Sequence, residues 1–217
     1  DNIVISIVGR IAPEEAIALV EKVLGDWEPP STSLTGLTLP TITPAPRRAI
    51  VPQTTQQSII MLGYLASSVK SPDYPALKLL NTYLGNGLSS RLFVELREKR
   101  GLAYEVSAFY PTRLDLSHFV VYMGTAPENT AIACDGLREE VERLCHTTLV
   151  ADELQAAKNK MLGQYALGKQ TNAQIAQVFG WYETLGLGIE FDTHFTTSIA
   201  AVTPEAAQEV ACRYFIE

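Results

Sequence analysis

The stretch from Ser71 to Thr125 constrains the fold most, because its apolar period changes twice within 55 residues. Ser71-Pro72-Asp73 opens a helix that turns Leu77, Leu80, Tyr83 and Leu84 inward, and Gly85-Asn86-Gly87 stops it. A second helix, about Ser89 to Lys99, follows almost at once. Two runs of strand character come next, roughly Ala103 to Tyr110 and Leu116 to Thr125. The turn-like Pro111-Thr112-Arg113-Leu114-Asp115 joins them, so a hairpin is expected. Upstream, Ala49 to Val51 and Ser58 to Ala66 are further strand candidates.

The last third reads as helix. From Pro127 a long helix aligns Cys134, Leu137, Val141 and Leu144, and another near Asp152 repeats Leu154, Ala157, Met161 and Tyr165. Thr171-Asn172-Ala173-Gln174 has the form of a capping box, with Ile175, Val178, Tyr182 and Leu185 following at helical spacing. Thr203-Pro204-Glu205 starts a final helix with Ala207, Val210, Ala211 and Tyr214 inward. Strands in front and helices behind predict an α+β domain, its largely antiparallel sheet covered by helices on one face. With 47% apolar residues among 217, the chain can bury one sizeable core.

The opening residues do not fit inside that core. Ile3 to Val8 is an apolar strand closed by Gly9, and Pro13-Glu14-Glu15 starts a helix that Gly25 ends. Ala16, Leu19, Val20, Val23 and Leu24 share one face of that helix. Such a strand-helix pair is too small to bury itself and needs a sheet to join. Residues 26–46, with Pro29, Pro30, Pro40, Pro44 and Pro46 among Ser and Thr, read as an extended linker. The expected division is therefore 1–25 as the end of a preceding domain, 26–46 as a Pro-rich linker and 47–217 as the main domain. Asp1 leads straight into the strand, so the chain reads as a piece of a longer protein.

Charge and composition remove several function classes. A net charge of −7 argues against nucleic acid as a partner, since phosphate binding needs a basic surface. No apolar run reaches the roughly 20 residues of a membrane span, and no signal peptide is visible. Cys134, Cys145 and Cys212 form no CxxC pair and read as free thiols. The three histidines, His118, His146 and His194, are scattered, and neither HExxH nor HxxEH occurs, so a catalytic zinc site is not expected in this chain. There is no GxSxG and no reactive-cysteine setting.

The segment Leu96-Arg97-Glu98-Lys99-Arg100-Gly101-Leu102-Ala103-Tyr104 is more informative. Helix termination accounts for Lys99, Arg100 and Gly101: bases at the negative pole, then a glycine cap. It does not single out Arg97 or Tyr104. Together with Leu84-Gly85-Asn86-Gly87 and Ser89-Ser90-Arg91-Leu92-Phe93, this segment resembles the second, non-zinc-binding domain of pitrilysin/insulinase-type peptidases, a family that includes processing peptidases and respiratory-complex core subunits.

The resemblance implies two homologous α+β domains facing each other across a closed chamber. The first carries HxxEH and zinc, and the second supplies an arginine and a tyrosine that hold the substrate backbone. Arg97 and Tyr104 occupy the matching positions and are the expected substrate-binding residues. Guanidinium and phenol are both donors able to grip a peptide carbonyl. The implied function is that of a chamber-forming, substrate-binding domain, inactive by itself, with zinc in the parent protein or a partner subunit. The implied partners are a peptide substrate and the zinc-binding domain of the parent or of a homologous subunit, in a homo- or heterodimer. The alternative is a non-proteolytic structural subunit of the same fold.

Overall fold

The computed structural model describes residues 3–28 and 45–215. Most of the expected linker, residues 29–44, lies outside the described residues. The chain divides into two compact units, Asp1–Ala45 with Tyr165–Phe191, and Pro46–Gln164 with Asp192–Glu217.

In the larger unit, strands β1 (Ser58–Ala66), β2 (Glu105–Phe109) and β3 (Ser117–Thr125) form an antiparallel sheet of order β1-β3-β2. The expected hairpin is formed: β2 pairs with β3 from Glu105↔Gly124 to Phe109↔Val120. On its other side β3 pairs with β1 along its whole length, from Ser58↔Thr125 to Ala66↔Ser117. Strand alternation then sorts the side chains. Ile60, Val106, Ala108, Phe119, Val121 and Met123 are buried, while Ile59, Met61 and Phe109 are exposed on the other parity.

Helices α2 (Tyr74–Gly85), α3 (Thr130–His146) and α7 (Pro204–Tyr214) pack against the strands and one another. Leu77, Leu80 and Leu84 of α2, Leu137 and Val141 of α3, and Ala207 and Ala211 of α7 are buried, as their helical spacing predicts. Phe119 sits at the centre, its ring 4.8 Å from that of Phe215 and 6.1 Å from that of Tyr110. Burying a side chain of this size contributes about 2–3 kcal/mol. Helix α4 (Ala151–Leu167) adds Leu154 and Ala157 to the core.

One cation lies among these rings. Lys78 of α2 donates from Nζ to the carbonyl of Tyr110 at 2.8 Å, with the rings of Tyr74 and Tyr110 5.4 and 5.2 Å from the ammonium. Burial lowers its pKa to about 8 from 10.5. The unfolded chain therefore binds a proton that the folded chain releases between these values, so this residue's contribution to stability rises with pH there. In denaturant titrations, the stability of wild type relative to Lys78→Met is expected to increase by about 3 kcal/mol in all from pH 8 to 10.5. A difference that stays flat over that range would show that Lys78 is not held as described.

In the smaller unit, helix α1 (Pro13–Leu24) buries none of its residues, and Ile17, Leu19 and Val23 are exposed. Helix α5 (Asn172–Thr184) starts with the expected capping box: Thr171 accepts from the Gln174 amide, and the Gln174 side chain accepts from the Thr171 amide. The Tyr165 and Tyr182 hydroxyls share a hydrogen bond, and the Phe191 ring lies 5.1 Å from that of Tyr182.

Two expectations are corrected and one element is added. Residues 3–8 are not a strand, because an extended segment becomes one only where another backbone completes its ladder. Ala49–Val51 is likewise unpaired and exposed. Between Leu185 and Thr203 a further helix, α6 (Phe191–Ala201), buries Phe195 and Ile199 one turn apart. Its four Thr and Ser residues dilute the helical signal in the sequence.

Candidate functional site

The segment from Ser89 to Tyr104 forms a helix, a turn and the entry to β2. The helix begins at Arg91 and widens into a π-helical coil over Phe93–Lys99. Such coils are rare and concentrate at functional sites. Leu92 and Leu96 are fully buried and fix its inner face. Gly136 of α3 admits this close approach: a Cβ there would meet Leu96 Cδ2 at 2.9 Å.

Ion pairs hold both ends of the helix. Glu140 of α3 is only 4% exposed. Its carboxylate accepts from Arg91 Nε at 2.8 Å and lies 3.5 Å from Arg100 Nη2. Arg91 Nη1 also reaches Glu95 at 2.9 Å, Lys99 Nζ reaches Glu95 at 2.7 Å, and Arg100 Nη1 reaches Glu139 at 3.0 Å. The hydrogen bond from Lys99 is the main reason that Glu95 is held below the usual carboxylate range. Burial disfavours the charge on Arg91, but Glu140 outweighs it and keeps the guanidinium above its ordinary pKa.

Arg97 stands apart. Of the four basic residues from Arg91 to Arg100, it alone makes no ion pair among the described residues; its guanidinium rests over the Phe93 ring at 5.0 Å. That contact orients the side chain while leaving its N–H donors exposed to water.

The helix ends as its sequence requires. Gly101 takes φ +63°, its amide donates to the Arg97 carbonyl at 3.2 Å, and the Leu102 amide reaches back to the Leu96 carbonyl at 2.8 Å. Thr125 Oγ1 donates to the Leu102 carbonyl at 2.6 Å, which ties the turn to β3. The Tyr104 amide donates to the Gly124 carbonyl at 2.8 Å. Tyr104 is 54% exposed, and its hydroxyl makes no hydrogen bond among the described residues. Arg97 and Tyr104 thus flank one turn, each anchored through its backbone and each presenting an unengaged donor.

The histidines do not converge on this site. His118 lies on β3 with its ring 5.8 Å from that of Phe109, His146 ends α3, and His194 on α6 is 3.5 Å from the Ser198 hydroxyl. Among the described residues, no group of three or more His, Cys, Asp or Glu is placed to hold a metal ion. No helix among them is long and apolar enough to cross a membrane. The positioning residue that sequence reasoning missed is Glu140. Its signal was a carboxylate between the apolar positions Leu137, Val141 and Leu144, where a buried acid needs a basic partner.

Comparison with known proteins gives the family and the fold. Residues 1–161 match the model of the peptidase M16 inactive domain. The chain is 31% identical over 176 residues to an uncharacterized zinc protease of Streptomyces coelicolor, covering 79% of this chain and 37% of that protein. It superposes on the peptidase M16 inactive domain from Pseudomonas fluorescens with a TM-score of 0.67 and 26% identity, over 74% of this chain and 38% of the other. A protease from Helicobacter pylori gives a TM-score of 0.77 over 96% of this chain and 51% of the other, at 22% identity, which shows the shared fold. The chain belongs to the M16 peptidase family, to its inactive domain, in agreement with the pitrilysin/insulinase resemblance. It spans less than half the length of the Streptomyces relative.

Proposed function

We propose that this chain is the substrate-binding, chamber-forming half of a zinc-dependent metallopeptidase, with Arg97 and Tyr104 gripping the peptide backbone. The observation that carries this reading is the unpaired, exposed Arg97 within a helix whose other bases are all ion-paired. Its guanidinium and the free Tyr104 hydroxyl can donate to a substrate carbonyl and favour negative charge developing there. Zinc belongs to the other half of the parent protein or to a homologous partner subunit, where it would polarise the scissile carbonyl and activate water. This half does not hydrolyse peptides alone. The names borne by the relatives and the unengaged donor pair favour this reading over a scaffold of the same fold.

Residues 1–25 are read as the end of a preceding domain, joined by the 26–46 linker to the domain from 47 onward. The uncovered apolar face of α1 supports this division.

The test is peptide cleavage by the full parent protein, with any partner subunit present. Arg97→Ala is expected to lower kcat/KM roughly tenfold to hundredfold, and Tyr104→Phe roughly tenfold, with unfolding midpoints unchanged. Undiminished cleavage in both variants would remove the substrate-contact role.

A further inference from the structure

Two thiols that are 67 residues apart in sequence meet where α3 ends against α7. Cys145 lies in the last turn of α3, and its carbonyl is one of those a helix end leaves without an internal partner. Two side chains one turn apart on α7 satisfy it. Gln208 Nε2 donates to it at 3.0 Å, and the Cys212 thiol donates to it at 3.1 Å. This double contact fixes the register of the helices and brings the Cys212 sulfur beside the Cys145 residue. Cys145 is buried and Cys212 half-buried, so Cys212 is the more accessible residue of the two.

We propose that Cys145 and Cys212 form a redox-responsive pair that closes to a disulfide linking α3 to α7. The co-reactant is a low-molecular-weight disulfide of the glutathione class. The Cys212 thiolate attacks one sulfur of that disulfide, which expels one small thiolate and leaves a mixed disulfide on Cys212. Cys145 then loses its proton and its sulfur attacks the Cys212 sulfur, expelling the second small thiolate. Two protein thiols give up two electrons and two protons, and one small disulfide becomes two thiols. Burial, and then the neighbouring Cys212, raise the Cys145 pKa to about 11. Cys145 is therefore a poor first nucleophile, and loss of its proton limits the rate of the second, resolving step. Cys134, elsewhere on α3, takes no part.

The bond would join positions 67 residues apart and tie the last turn of α3 to a helix that itself packs on α2. By restricting the unfolded chain it would stabilise the fold. The structural consequence is a domain that is more rigid when oxidised, with Arg97 and Tyr104 untouched.

The test is to equilibrate the native chain in glutathione buffers from reducing to oxidising, alkylate the remaining thiols and map the peptides by mass spectrometry. The expected result is a monomer that loses two alkylatable thiols and yields a Cys145–Cys212 cross-linked peptide. Its unfolding midpoint should rise by about 5 °C or more and return on reduction. Cys134→Ser should behave identically, whereas Cys212→Ser should yield no cross-link. Three free thiols at the oxidising end, glutathione adducts without the cross-link, or dimers joined through any cysteine would each overturn the proposal.

Discussion

Replacing Gly85 by alanine is expected to destabilise the larger unit by about 3 kcal/mol or more, lowering its unfolding midpoint by roughly 6–12 °C. A Cβ on Gly85 would lie 1.9 Å from the Ala108 amide nitrogen, 2.5 Å from its Cβ and 2.7 Å from its Cα. Two of these three atoms are strand backbone, which no rotamer change can move. The end of α2 would have to lift from β2, and the 2.8 Å hydrogen bond from Ser107 Oγ to the Gly85 carbonyl would be lost with it. Gly63→Ala is the matched control. Its nearest neighbour would be Val120 Cγ2 at 3.8 Å, ordinary contact, and its effect should stay within about 0.5 kcal/mol. Urea unfolding of the two variants decides the matter: equal midpoints would mean that α2 does not approach β2 this closely.

Glu140→Ala is expected to cost about 3 kcal/mol, because it leaves a half-buried guanidinium without its principal acceptor. Glu140 takes 2.8 and 3.5 Å contacts from Arg91 and another at 3.5 Å from Arg100. It therefore joins the first and last bases of the helix that carries Arg97. Glu95 would still hold Arg91 at 2.9 Å, so the loss should be large but short of unfolding. Glu140→Gln keeps an acceptor and should cost less than the alanine variant. Because the carboxylate is buried, the penalty should change little between 0.05 and 0.5 M salt, unlike that of an exposed pair. Urea midpoints measured at both ionic strengths check this, and a loss abolished by salt would show that the network is a surface one.

The sequence made the regular elements readable wherever a residue's local neighbours decide its environment. The inward leucines of α2, the Thr171 and Thr203 caps and the β2–β3 hairpin all rest on spacings of a few residues, and all appear. Arg97 and Tyr104 stand on a different footing. Helix termination explains their neighbours without singling these two out, and their role as substrate contacts comes from the family resemblance and remains the proposal made above.

What escaped depends on residues distant in the chain. Gly85 reads as part of a helix stop, yet its backbone is not left-handed; Gly87, with φ +76°, turns the chain. The requirement at Gly85 is room for Ala108, which no local pattern encodes. Glu140 and the Cys145–Cys212 contact likewise exist only once α3 has met the Arg91 helix and α7. Residues 3–8 show the converse. Their composition is that of a strand, but a ladder needs a second backbone, and the sequence does not say whose.

The widened coil at Phe93–Lys99 bears on how relatives should be aligned. In an ordinary α-helix each residue turns the chain by 100°, so one residue more or fewer between Leu96 and Gly101 would swing the intervening side chains around the axis. The direction of Arg97 is therefore set by counting as much as by chemistry. A homologue could keep an arginine in this segment, lose one residue of length, and aim that arginine somewhere else. Ungapped spacing from the buried leucine to the capping glycine is a stricter criterion for the arginine proposed here as a substrate contact than the arginine itself.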